Sequence, residues 1–148
     1  YTHPKLHAYV TTTHGEGFGL PLFEAAREAL PIVTIPWSGQ MDFLHHDGEN
    51  CFQEVEYSLR PIQQEARWDG VLEKDSMWAF ADQGSYKMTL RKTHKKWKQA
   101  KKTAEKLQTL LNEKFNEEKL YSQFCDAIHM QSAEEKKWSE SLSQVELI

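Results

Sequence analysis

The sequence predicts an α/β fold, with about three parallel strands followed by a long helical C-terminal region. Three observations predict it. A β-branched and aromatic run at residues 6–12 leads straight into a glycine-rich loop, His14-Gly15-Glu16-Gly17-Phe18-Gly19. A helical segment and a second apolar run, Ile32-Val33-Thr34-Ile35, follow at once. From Ser85 onward, apolar residues recur at steps of three and four, the signature of an amphipathic helix. Strand, glycine loop, helix and strand, in that order, form a parallel crossover. The crossover leaves the loop and the helix N-terminus at the carboxyl edge of the sheet, where phosphate-bearing ligands bind.

Taken in order, residues 6–12 form the first strand. The glycines that follow let backbone approach a ligand without an intervening Cβ. Pro21 suits the first helical turn, where its missing N–H costs nothing. Leu20, Phe23, Ala26 (or Arg27) and Leu30 recur at helical spacing, and Pro31 ends the helix. Residues 32–35 read as a strand covered on both faces. Pro36-Trp37-Ser38-Gly39 is a second turn at the same sheet edge, and residues 41–45 allow one short helix. Asp47-Gly48-Glu49-Asn50 is a turn, and Cys51-Phe52-Gln53-Glu54-Val55 is the third strand. Residues 57–82, with Pro61, Asp69-Gly70, Tyr57, Trp68 and Trp78, read as an irregular loop or hairpin excursion. The stripe Tyr86, Leu90, Thr93, Trp97, Ala100, Ala104, Leu107, Leu111 then predicts one long helix, with a break at Asn112-Glu113. Asn116 caps a further helix reaching about Met130, with Glu117 and Glu118 in its first turn. Residues 131–148 read as a surface helix or frayed tail beside a main domain of residues 1–130.

Composition excludes several classes. With 148 residues, 39% apolar and 27% charged, the chain suits one globular domain. No apolar run approaches the ~18 residues of a membrane span. Cys51 and Cys125 fit no metal or redox spacing, which suggests reduced thiols and a cytoplasmic protein. Residues 87–106 hold nine of the eighteen Lys and Arg residues and one acid, Glu105. The ordinary role of such a segment is a solvated helix face. The functional alternative is a patch for an anionic acceptor or a peripheral contact with lipid headgroups. No aromatic interleaving accompanies the charge, so no nucleic-acid partner is expected. The chain begins at Tyr1, a few residues ahead of a strand, and is expected to be a piece of a longer protein.

Two carboxylates flank the loop. Glu16 lies within it, and Glu24 lies about one turn into the helix, so the two are not stacked on one helical face. They suit two parts of one elongated ligand, since a carboxylate accepts from the vicinal hydroxyls of a ribose or hexose. The backbone N–H groups of Gly17, Phe18 and Gly19, with the helix N-terminus, suit a diphosphate or a sugar hydroxyl. The structural alternative is a helix glutamate and an ordinary loop charge. His14 suits either a contact to donor or acceptor or a turn-stabilising role. His45-His46 reads as surface, because adjacent residues do not converge on one ion. Trp37, Trp68, Trp78 and Trp97 read as packing residues.

The run Glu16-Gly17-Phe18-Gly19-Leu20-Pro21-Leu22-Phe23-Glu24 resembles the E-x7-E signature of retaining GT-B glycosyltransferases of the family-4 type. Thr12-Thr13, Pro31-Ile32-Val33, Ser38-Gly39 with Asp42-Phe43-Leu44, and Asp47-Gly48-Glu49-Asn50 occur in the family's order. The excursion with Trp78 resembles a subset of these enzymes. The likeness covers residues 1–130 and is most specific over 12–50.

The resemblance implies a Rossmann-like C-terminal domain that binds a nucleotide-sugar donor and transfers a hexose with retention, without a metal cofactor. By position, Glu24 would hold the ribose hydroxyls and Glu16, the catalytic candidate, would face the sugar. Gly17, Phe18, Gly19 and Leu20 would complete the donor site, together with His14. Ala29 stands where the family usually has Gly, Asp42 where Glu is common, and Cys51 where Gly is common. The family's diphosphate-neutralising Arg/Lys pair and its acceptor-binding N-terminal domain would lie upstream. The isolated chain is therefore expected to be inactive, and its first strand, lacking a neighbour, to pair with a second copy as a homodimer. The competing expectations are a sugar-nucleotide epimerase of the same fold and a non-catalytic remnant or interaction module.

Overall fold

A computed structural model of the chain describes residues 1–128. The chain divides into two compact units, Tyr1–Lys114 and Phe115–Ile148. The tail expected at 131–148 and its boundary at 130 lie outside the described residues.

The first unit is built on a three-stranded parallel sheet in the order β1-β2-β5, with β1 at Tyr9–Val10, β2 at Ile32–Thr34 and β5 at Gln53–Glu54. Tyr9 pairs with Ile32 and Val10 with Val33; Val33 pairs in turn with Gln53 and Thr34 with Glu54. The α/β class and the parallel sheet are as the sequence predicts. The outer strands are shorter than residues 6–12 and 51–55 suggest. The chain before β1 turns away at once, with the Leu6 N–H donating to the His3 carbonyl at 2.9 Å. Cys51 is drawn instead to the Leu44 carbonyl, at 2.8 Å.

Helix α1, Leu20–Arg27, links β1 to β2. It stops one turn earlier than Leu30, because Ala29 takes a left-handed conformation at φ 52°. This is the helix-ending position that glycine normally fills. The freed carbonyls are claimed from elsewhere: Lys101 Nζ donates to the Ala29 carbonyl at 2.8 Å, and Gln108 Nε2 to the Arg27 carbonyl at 2.6 Å. A short α2, Met41–Leu44, follows β2. Then β3, His45–His46, and β4, Glu49–Asn50, form a tight hairpin over Asp47 and Gly48, both at positive φ. His45 Nδ1 bonds Asn50 Oδ1 there at 2.7 Å.

The excursion at 57–82 is a regular hairpin of β6, Tyr57–Pro61, and β7, Met77–Ala81, paired over five positions. Its link carries a 3-10 turn at Gln64–Ala66. Ala79 is fully buried in one cluster with Val33, Ile35 and Val55, packed by Trp37, Tyr57, Ala81, Tyr86 and Leu90. The hairpin and the following helix thus cover one face of the sheet. Side chains alternate along a strand, so Ile32 and Thr34 point to the other face, the side of α1.

The long helix predicted from Ser85 is two helices. They are α3, Gln83–Lys95, capped by Asp82 Oδ1 accepting from the Ser85 N–H at 2.7 Å, and α4, Trp97–Lys114. The break expected at Asn112-Glu113 comes just after it, where α4 ends at Lys114, and a further break falls at Lys96. It follows from packing, since α3 bonds the sheet (Thr89 Oγ1 to the Glu54 carbonyl, 2.9 Å) while α4 lies on α1. Ala100, Ala104, Leu107 and Leu111, the stripe read from sequence, are the buried face of α4. Of the basic residues in 87–106, all are exposed except Lys101, which serves the end of α1. Trp68 is exposed, contrary to its expected packing role.

In the second unit, α5, Glu117–Ile128, is capped as expected, with Asn116 Oδ1 accepting from the Lys119 N–H at 3.1 Å. None of its residues is buried.

Candidate functional site

The glycine loop leaves the carboxyl end of β1 and enters α1 through Gly19, in the left-handed region at φ 87°. No side chain caps this helix, whose N-terminus carries the positive end of the helix dipole. A Cβ on Gly19 would stand 3.1 Å from Leu22 Cδ1 and 3.3 Å from Gln40 Cβ, so both conformation and space demand glycine. Beneath it, Gln40 is fully buried. Its Nε2 donates to the Ile35 carbonyl at 3.3 Å, and its Oε1 has no partner among the described residues.

Glu16 is held through its backbone by the turn after β2. Ser38 Oγ accepts from the Glu16 N–H and donates to the Glu16 carbonyl, each at 2.6 Å. The Gly39 N–H donates to the same carbonyl at 3.0 Å. Phe18 fastens the far end of the loop, with its ring 5.0 Å from Phe43 and 5.3 Å from Phe23. Leu20 and Gly17 are exposed.

The structure does not bring all the expected residues together equally. Gly15, Glu16 and Gly17 meet the Ser38–Gly39 turn, and Gly19 lies against Gln40. Glu24 is exposed and borders a cleft of about 650 Å³ shared with Tyr1, Thr2, Arg27, Glu28, Gln108 and Asn112. Tyr9 connects the two carboxylates: burial, then the neighbouring Tyr1, Glu16 and Glu24, push its phenol above the ordinary value.

His14 is anchored to the β6–β7 hairpin. It stacks on Trp78 at 4.8 Å and 7°, lies 4.5 Å from Phe80, and its Nδ1 bonds the Ala79 carbonyl at 2.7 Å. Arg60, paired with Trp78 across the hairpin, has its guanidinium 5.3 Å from the Phe80 ring. The hairpin thus brings an aromatic face and a cation to the start of the loop. Sequence reading placed the Ser38-Gly39 turn at the same sheet edge without pairing it to Glu16, and it missed Arg60. The Ser38-Gly39 dipeptide was legible as a turn, but which loop it meets is a tertiary fact.

A separate, mostly apolar cavity of about 440 Å³, lined by His7, Ala8, Val33, Leu90, Thr93, His94 and Trp97, opens at the amino end of β1. Among the described residues, no cluster of His, Cys, Asp and Glu is arranged to hold a metal ion, and no helix is long and apolar enough to cross a membrane. No protein-family model, curated protein or solved structure matches the chain.

Proposed function

We propose that the chain binds a nucleoside-diphosphate sugar through residues 14–24, as the donor-binding part of a retaining glycosyltransferase with a Rossmann-like GT-B domain. The observation that carries this reading is the Glu16 loop, clamped at the carboxyl edge of a parallel crossover and opening directly into an uncapped helix. In this reading Glu16 accepts hydrogen bonds from hydroxyls of the sugar. Glu24, within the helix that follows, accepts from the ribose. The N–H groups at Gly17–Gly19 and the helix end offset the charge that grows on the diphosphate as the glycosidic bond breaks. That charge develops on the leaving group, so the leaving phosphate itself can take the acceptor's proton. Retention then needs no protein nucleophile and no metal. The acceptor would be supplied by a further domain.

The test is titration with UDP, GDP and ADP and with their sugar conjugates, followed by tryptophan fluorescence and melting temperature. A fitting ligand at a hundred times its Kd stabilises by about 2.7 kcal/mol, a clear rise in Tm. Glu24→Ala should abolish it. No shift with any of them at millimolar concentration would sink the reading in favour of a non-binding interaction module. A shift that survives Glu24→Ala would remove the ribose assignment.

A further inference from the structure

The turn that follows β2 has a conformation that the connection to α2 alone does not call for. Ser38 sits at φ 73°, in the left-handed region that non-glycine residues seldom occupy. Such an outlier persists only where its surroundings hold it in place. Here they are the two peptide groups on either side of the Glu16 Cα. The Ser38 hydroxyl takes the Glu16 N–H and gives its proton to the Glu16 carbonyl, and the Gly39 N–H adds a second donor to that carbonyl.

The two segments also interlock sterically. A Cβ on Gly39 would fall 1.9 Å from the Gly17 carbonyl oxygen and 2.8 Å from that of Glu16. The turn is in turn tied to the core. The Ser38 and Gly39 carbonyls accept from the Met41 and Asp42 N–H groups at 3.0 and 3.2 Å, starting α2, whose Phe43 and Leu44 are buried. Within the loop, Gly17 would meet nothing within 4 Å of a Cβ position, and Phe18 packs on Phe23 and Phe43. The peptide groups that carry Glu16 are therefore held from outside their own loop.

We infer that the Ser38–Gly39 turn is a positioning device for Glu16, and that the Ser38 hydroxyl determines how well the site recognises the sugar half of its donor. The identity of the ligand rests on the donor-binding reading above; the holding of the Glu16 peptide does not. Ser38 acts only through Glu16, so its loss should weaken the sugar contact and leave the nucleotide contact at Glu24 intact.

Two variants separate the hydroxyl from the strain. Ser38→Ala deletes the hydroxyl and keeps a side chain in the left-handed conformation. Ser38→Gly deletes the hydroxyl and relieves the backbone, so it should lose less stability than Ser38→Ala. Two readouts are taken on the full chain. Amide hydrogen exchange at Glu16, followed by NMR without ligand, should quicken about tenfold in both variants as the carbonyl and N–H lose a partner. Affinities are compared for UDP-glucose, GDP-mannose and ADP-glucose against the free diphosphates. The advantage of the sugar nucleotide over its own diphosphate should fall about tenfold, with affinity for the diphosphate unchanged.

Unchanged exchange at Glu16 overturns the inference. A parallel loss of sugar nucleotide and diphosphate also overturns it, because a merely structural role would move both. If the parent chain binds none of the six compounds, the donor-binding reading fails, and the exchange at Glu16 alone decides whether the turn holds the loop.

Discussion

Gly39→Ala is the substitution whose effect is most sharply fixed by the geometry. The added carbon would sit 1.9 Å from the Gly17 carbonyl oxygen, and all three of its nearest atoms are backbone. No side chain can swing aside, so the two segments must part by about 1 Å before the contact becomes even a tight one. Overpacking of this kind costs about 1–3 kcal/mol. The separation also weakens the Gly39–Glu16 and Ser38–Glu16 hydrogen bonds, each worth about 0.5–1.5 kcal/mol net. The terms overlap, and a total of about 3–5 kcal/mol is expected, a large share of a domain's usual 5–15 kcal/mol. Urea unfolding reads it as a lower midpoint at unchanged slope. Gly17→Ala is the control, because its Cβ would meet nothing within 4 Å and should shift stability by less than about 1 kcal/mol. A loss below about 1 kcal/mol for Gly39→Ala would refute the interlock, and with it the account of how Glu16 is placed.

Gln40→Met keeps the volume and removes the buried Oε1 that has no partner. The Ile35 carbonyl keeps its bond from the Trp37 N–H, so thermal denaturation should show a gain of about 1 kcal/mol, and a fall in Tm would count against this reasoning. Iodoacetamide should label exposed Cys125 well before buried Cys51, as peptide mapping over time would show. Burial raises the Cys51 thiol above its ordinary 9.0. Its stabilising contribution is therefore full below that value and is lost as pH rises through the higher folded value; a stability profile that rises across this alkaline range in wild type but not in Cys51→Ala would contradict it. Among the described residues β1 pairs only with β2, so light scattering should find a homodimer joined at that free edge, and a clean monomer would contradict it.

The parallel crossover was legible because its signals are local. Glycines ahead of Pro21, a helical period, and an apolar run bounded by Pro31 and Pro36 each report on their own few residues. The C-terminal stripe was legible for the same reason, and Ala100, Ala104, Leu107 and Leu111 are buried as their spacing requires. The break at Lys96 was not, since no Gly or Pro marks it. It comes from two helices being drawn to different partners, one to the sheet and one to α1. Between the two readings of 57–82, irregular loop or hairpin, the structure has the hairpin; Pro61, which ends a strand locally, still occupies a paired position opposite Met77.

The sequence by itself determined the α/β class, the strand–loop–helix–strand crossover, and the two carboxylates beside a glycine loop, because periodicity, turn chemistry and spacing are properties of neighbouring residues. Only the tertiary structure decided that Ser38 and Gly39 grip Glu16, that His14 is stacked beneath a hairpin, and that Lys101 closes the end of α1. Each of these joins residues more than twenty positions apart, and their partners are chosen by packing and hydrogen-bond satisfaction.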